Sequence, residues 1–338
     1  MRAPKTTFIV MQNIVLSLML FFNFPAWGVV KPSATPILRG TNAFHQMKLS
    51  PKGRYLAYTD ENGLGLNAID LKTKFIYRVS DEKVGQSFFW TPDGSRIFYR
   101  ELVRSPLKKP RTDSDAERKE NQWETPIRSK IRAFDCSVAR NIDIDTIPRT
   151  TGLLTFDPRD LRFLLLSESG IHTKKITFPN QRLAQWQIAS RNDEGKWLAT
   201  QKGILWVTQR GLVMRRLEDD SKNLSSFDIS PDGQWIAWST EGDRIYISHE
   251  GKMSQFLAYG RDPKWHPTRQ LIAFAGARMV GNKAVNFDIK IADVRGQAKF
   301  LTATQFSSER WPHWDKEGEK IMYTVDQTTD LFLLDFKQ

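Results

Sequence analysis

The chain has 338 residues, of which 40% are apolar, 12% aromatic and 26% charged, so it is neither a disordered tail nor a fibrous repeat and can bury a large core. Its formal charge of +12 favours acidic partners or serves solubility alone, and no dense Lys/Arg run decides between the two. A single cysteine, Cys136, excludes an internal disulfide, so stability must come from packing.

Residues 1–28 read as a secretory signal peptide. Arg2 and Lys5 make the start positive, Ile14–Phe22 is a short apolar core, and Ala26-Trp27-Gly28 is a small-x-small cleavage pattern. Gln12, Asn13 and Asn23 interrupt the apolar run, which falls short of the about 20 residues a spanning helix needs. An uncleaved anchor is the alternative. After cleavage no transmembrane span is expected, the charge drops to +10, and the protein is periplasmic or secreted. Export separates it from most nucleic acid, which is therefore not an expected partner.

From residue 29 to 338 one phrase recurs: Ser50-Pro51-Lys52-Gly53 followed by Arg54–Tyr58, Thr91-Pro92-Asp93-Gly94 by Ser95–Tyr99, and Ser230-Pro231-Asp232-Gly233 by Gln234–Trp238. Looser copies begin near Pro158, Asp193, Pro267 and Lys316. Each is a short strand, a tight turn and an apolar strand, a unit that cannot bury its own faces and must pack beside its copies. The markers at 51, 92, 158, 193, 231, 267 and 316 lie 35 to 49 residues apart, except for one gap of 66. That period fits one four-stranded antiparallel sheet per unit. The expected fold is all-β, a seven-bladed β-propeller of four-stranded antiparallel blades. The last unit lacks a fourth strand, and Thr35–Arg39 supplies a spare one, so this N-terminal strand is expected to close the ring.

The long gap holds an insertion at about 104–132 between the second and third strands of the second blade. It carries nine basic against five acidic side chains, and little that is apolar beyond Trp123. A long loop on a rigid scaffold is a candidate partner-binding element, here through Lys108, Lys109, Arg111 and Trp123; a solvated loop without a role is the other reading. Cys136 falls in the alternating stretch Ile131–Val138, where a buried, inert thiol is expected.

On the motifs Leu49–Gly53, Trp90–Gly94, Ile229–Gly233 and Trp265-His266-Pro267, and on strand endings such as Asn67–Asp70 and Phe332–Asp335, the chain resembles the WD40-like PD40 repeats of TolB-type β-propellers. The resemblance covers roughly residues 35–338. It implies an exported propeller that serves as a protein-interaction platform. The family's type member carries an additional α/β domain before its propeller, for which the segment here is too short, so that protein's own role is not expected to carry over.

No Gly-x-Ser-x-Gly, His-Glu-x-x-His, Cys-x-x-Cys or phosphate-binding Gly loop is present, and Ser105-Pro106-Leu107-Lys108 lacks the partner motifs of a Ser-x-x-Lys enzyme. The expected function is therefore non-enzymatic binding of a protein or peptide, acidic by charge complementarity, with no cofactor. The alternative is recognition of a carbohydrate or acidic polymer, or chemistry like that of oligogalacturonate lyase, at the channel mouth. That lyase uses a His-rich metal site, whereas His45, His266 and His313 sit at different depths of the inner strands and His172 and His249 in other strands, so no shared metal is expected. Six residues before every turn marker but the fourth, whose unit aligns poorly, the chain reads His45, Gln86, Gly152, Ser225, Arg261 and Arg310, next to Asp262 and Glu309. His45, Gln86, Arg261, Asp262 and Arg310 are the candidate ligand-binding residues at that mouth. A water-filled channel with Arg261–Asp262 and Arg310–Glu309 compensating each other is the competing expectation.

Overall fold

Short alternating segments separated by turns can satisfy their backbone only against their neighbours, and antiparallel strands are what they form. The computed structural model describes residues 35–38, 46–60, 63–85, 87–103, 128–148, 154–157, 161–167, 170–176, 187–188, 195–200, 203–208, 213–216, 224–304, 307–326 and 330–336. The strand β1 (Thr35–Leu38) precedes a meander of β2 (Met47–Leu49), β3 (Tyr55–Tyr58), β4 (Leu64–Asp70) and β5 (Ile76–Lys83). Next come β6 (Phe88–Trp90), β7 (Arg96–Val103), β8 (Arg128–Asp135) and β9 (Arg140–Pro148), then β10 (Thr155–Asp157), β11 (Arg162–Ser167), β12 (Gly170–Lys175) and β13 (Gln187–Ile188). The strands β14 (Lys196–Thr200), β15 (Gly203–Thr208) and β16 (Val213–Arg216) form a three-stranded sheet. A longer run follows through β17 (Leu224–Ile229), β18 (Trp235–Thr240), β19 (Arg244–His249), β20 (Gln255–Trp265), β21 (Leu271–Val280), β22 (Lys283–Asp293) and β23 (Ala298–Phe300). The last sheet orders β1 beside β26 (Leu331–Asp335), β25 (Lys320–Val325) and β24 (Glu309–Trp314), with Thr35 opposite Leu333 and Leu38 opposite Leu331. Among the described residues no helix is long and apolar enough to cross a membrane.

The repeated phrase has a mechanical reason. Gly53, Gly94, Gly233 and Gly318 all take φ near +70°, which favours glycine, and each N–H closes the turn onto the carbonyl three residues earlier. The first residue of the phrase then caps the turn with its side chain. Ser50 Oγ accepts from Tyr55 N–H, Thr91 Oγ1 from Arg96 N–H and Ser230 Oγ from Trp235 N–H, at 2.9 to 3.1 Å. At the looser copies Asp315 and the His266 ring do the same with backbone N–H groups just beyond them.

Sheets then join through their apolar faces. One cluster sets Phe98 and Ile131 against Phe156 and Phe163, another sets Ala273 and Ile289 against Trp314 and Ile321. A third gathers Met47, Leu49, Leu56 and Tyr58 of the first meander with Met322 and Leu331 of the last sheet. A tryptophan two residues before the turn marker adds a polar tie. The indole N–H of Trp90 donates to Lys48 O at 2.7 Å, that of Trp265 to Asp228 O at 3.2 Å, and that of Trp314 to Lys264 O at 3.2 Å. These bonds pin β6 to β2, β20 to β17 and β24 to β20. Cys136 is buried as expected, and burial pushes its thiol up to about 12.

One boundary differs from the sequence reading, and β20, β21 and β22 run longer than the repeat requires. Arg128, Lys130 and Arg132 belong to β8, paired with β7 from Val103↔Arg128 onward, so the segment between those strands is 104–127; Lys108, Lys109, Arg111 and Trp123 lie outside the described residues. The strand β20 runs unbroken past Tyr259, because Gly260 lets it pass close to Gly276 of β21. A Cβ at Gly260 would come within 2.5 Å of Ala275 O. Finally, β21 and β22 extend to a turn at Gly281, making a hairpin longer than its counterparts, with Val280 and Val285 exposed near its tip.

Candidate functional site

At six of the seven turn markers the residue three positions earlier faces a shared interior; at the fourth that residue, Ser190, lies outside the described residues. Lys48, Phe89, Thr155, Asp228, Lys264 and His313 come from β2, β6, β10, β17, β20 and β24, and all six line one cavity of about 220 Å³. The tryptophan ties described above grip the carbonyls of Lys48, Asp228 and Lys264, so these three residues of the ring are held at their own backbone.

The ring is half-buried and rich in charge. Lys48 Nζ donates to Phe88 O at 2.5 Å and lies 4.5 and 4.4 Å from the Phe88 and Phe89 ring centres. Burial, and after it the Lys264 charge, lowers the Lys48 ammonium to about 7, while Asp228 works the other way. Lys264 Nζ stands 3.5 Å from Asp228 Oδ1, and Asp228 Oδ2 accepts from Trp265 N–H at 2.9 Å. His313 is held well below its ordinary range by burial and then by Lys264 and Lys48, so it is neutral. Its Nε2 has no hydrogen-bond partner among the described residues.

Toward one end, Gln46, Asp262 and Trp311 also line the cavity, and all three adopt positive φ (29°, 56° and 56°). Register breaks between Arg261 and Lys264 and between Arg310 and His313 accompany them. Beyond these bulges stand Arg261 and Arg310. The two guanidiniums share the Phe287 ring, at 5.1 and 5.5 Å from its centre. Of the five expected mouth residues, Arg261, Asp262 and Arg310 converge here, and His45 and Gln86 lie outside the described residues.

The expected compensation between chain neighbours is not what forms. Successive strand side chains point to opposite faces. Arg261 Nε therefore donates to Asp243 Oδ1, and Arg310 Nε to Asp262 Oδ2 at 3.0 Å. Glu309 turns inward instead, accepting from Thr302 Oγ1 and, at 3.1 Å, from Ile289 N–H. Asp262 is 1% exposed, and its Oδ1 has no partner among the described residues. Arg261 is lowered by burial and then by Arg310, whereas Arg310 stays above its ordinary value despite burial because Asp262 and Asp326 face it. Asp326 is raised by burial.

Burial also pushes Glu309 up to about 7. The unfolded carboxyl titrates near 4.3, so between these values the folded form keeps a proton that the unfolded chain has lost. Stability therefore falls as pH rises from about 4.3 to about 7, and the cost persists above. Glu309→Gln keeps a carbonyl acceptor for Ile289 N–H, and is expected to flatten that slope and stabilise the protein by about 1–3 kcal/mol at pH 8. Urea unfolding at pH 5 and pH 8 measures it; parallel wild-type and variant curves would refute the assignment.

Among the described residues no histidine other than His313 lines this cavity. His266 Nε2 lies 3.2 Å from Gly318 O, and His249 packs on Trp235 at 4.5 Å. The sequence reading passed over Lys48, Asp228 and Lys264, which line the cavity. The signal was available at the three-before position rather than the six-before one.

No protein-family model matches the chain, and no curated protein matches it. Among solved structures it is similar to oligogalacturonate lyase in complex with manganese, at 15% identity over 89% of this chain and 79% of that one, with a TM-score of 0.45 that leaves the likeness loose. It is similar to the β-propeller domain of Cps50 (Swd1) from Myceliophteria thermophila, at 10% identity and a TM-score of 0.53, over 90% of this chain and 100% of that one. It is also similar to the WD40 repeats of RRP9, at 7% identity and a TM-score of 0.56, over 91% of this chain and 99% of that one. At such identities the likeness extends to the fold alone: the chain folds as a β-propeller with WD40-like repeats.

Proposed function

We propose that the protein is an exported propeller of TolB type, seven-bladed and closed by β1, that binds an acidic protein or peptide and catalyses no reaction. Residues 1–28 direct export, and the mature chain works in the periplasm or outside the cell. The partner docks on the face that carries Arg261, Arg310 and the long β21–β22 hairpin. One observation carries this reading: two guanidiniums lie over the same Phe287 ring, each anchored through Nε to a carboxylate. Anchoring through Nε leaves the terminal Nη fork for a second acidic group. Like charges held side by side gain from an added anion, and Val280 and Val285, exposed near the tip of the β21–β22 hairpin, offer apolar area.

The test is retention of envelope proteins on the immobilised protein and on its Arg261→Ala/Arg310→Ala variant. An acidic protein held by the first and lost about tenfold or more by the second is the expected result. Equal retention by both, or by an unrelated propeller, overturns the reading. Binding of an acidic oligosaccharide with the same arginine dependence would transfer the site to polymer recognition.

A further inference from the structure

Deeper than the arginine face, the cavity itself has the makings of a ligand site. We propose that the axial cavity binds a monocarboxylate with a short apolar tail, its carboxylate lodged between Lys48 and Lys264 beside His313 and its tail against Phe89. The inference goes beyond the protein-docking reading and does not depend on it.

Three observations lead to that chemistry. First, the charges lining the cavity do not cancel among the described residues: Lys48 and Lys264 face Asp228, whose Oδ1 is 3.5 Å from Lys264 Nζ, while the other lining carboxylate, Asp262, is held by Arg310 Nε. With both lysines protonated the ring carries one positive charge in excess, which a monoanion balances and a dianion overshoots. Second, His313 Nε2 is buried and without a partner among the described residues. A buried polar atom left unmade costs about 1–3 kcal/mol, which a polar ligand can recover. Third, Met47, Phe89, Trp90 and Phe156 line the same cavity and present apolar wall. About 220 Å³ admits a short acid or the last residue of a peptide, not a sugar polymer.

Lys48 makes the site proton-linked. The charged and titratable groups facing it are Lys264 on β20, Asp228 on β17 and His313 on β24, and β6 contributes Phe88 and Phe89. A bound anion favours the ammonium form, so above about pH 7 binding takes up a proton and affinity falls as pH rises.

Calorimetric titration of the purified protein with butyrate and with butyramide tests this. Butyrate is expected to saturate one site at pH 6.5, butyramide to bind at least about tenfold more weakly, and the butyrate affinity to fall toward pH 8.5. Lys48→Met and Lys264→Met should each cost about tenfold or more while melting as folded proteins. The tripeptide acetyl-Ala-Ala-Leu and its C-terminal amide distinguish the source. If the free peptide binds more tightly than butyrate, the site takes a chain terminus; the reverse order assigns it to a free acid. No saturation by either acid up to about 50 mM, or equal binding of butyrate and butyramide, overturns the proposal. The acid–amide comparison on the wild-type protein decides the matter even if both lysine variants misfold.

Discussion

Phe98→Ala is expected to lower the unfolding free energy by about 3–5 kcal/mol, the range for emptying a buried aromatic site. Phe98 on β7 is fully buried, and its ring centre lies 5.4 Å from that of Phe156 and 5.2 Å from that of Phe163, on β10 and β11 of the next sheet. These two rings are 5.1 Å apart, so the three form one aromatic knot between two sheets. The truncation removes the member that reaches across, and neither sheet can collapse into the space without breaking its own ladder. Urea unfolding followed by tryptophan fluorescence measures the loss. A cost under about 1 kcal/mol would mean that adjacent sheets are held chiefly by something other than this apolar contact.

How far the sequence reached can be judged at particular residues. The turns were legible because Gly53, Gly94 and Gly233 sit where only a left-handed backbone closes the turn, and a serine or threonine caps it. The pairing of Thr35–Leu38 with the final strand was legible because that sheet was one strand short. The mouth was only half legible. Bulges at Asp262 and Trp311 break the alternation between the six-before and three-before positions, so counting back from the turn cannot say which way Arg261 and Arg310 point. Nor does sequence adjacency reveal that Arg310 finds Asp262, 48 positions away. The extension of β20 past Tyr259 was hidden for a related reason. A glycine reads as a joint, yet Gly260 serves here for close passage beside Gly276 inside a continuous strand.

The same tryptophans that knit the sheets also fix the cavity. Trp90, Trp265 and Trp314 reach back to the carbonyls of Lys48, Asp228 and Lys264, so stability and site geometry share a hydrogen bond at each step. A loss of packing between sheets would be felt first as loosened spacing of the ring charges, before the fold itself gives way. Preorganisation of this kind fixes the spacing of charged groups such as Lys264 and Asp228, 3.5 Å apart.

Removal of β1 should have an effect of similar size to the loss of Phe98, but of a different kind. A chain lacking residues 29–39 is expected to lose on the order of 3–6 kcal/mol and to associate at micromolar concentration. β1 covers the edge of β26 through the pairs Thr35↔Leu333, Pro36↔Phe332 and Leu38↔Leu331, and each ladder hydrogen bond contributes about 1 kcal/mol net. Ile37 adds contact with the cluster that joins Met47, Leu56 and Tyr58 to Met322 and Leu331, the meeting place of first and last sheets. Without β1, the β26 backbone presents an unpaired edge beside fully buried Leu331, a template for a second copy of the chain. Denaturant midpoints and light scattering read the two consequences separately. If the shortened chain stays monomeric with an unchanged midpoint, β1 is an ornament and the first and last sheets hold together by side chains alone. If it weakens and associates, the edge of β26 is where this propeller depends on its own N-terminal strand.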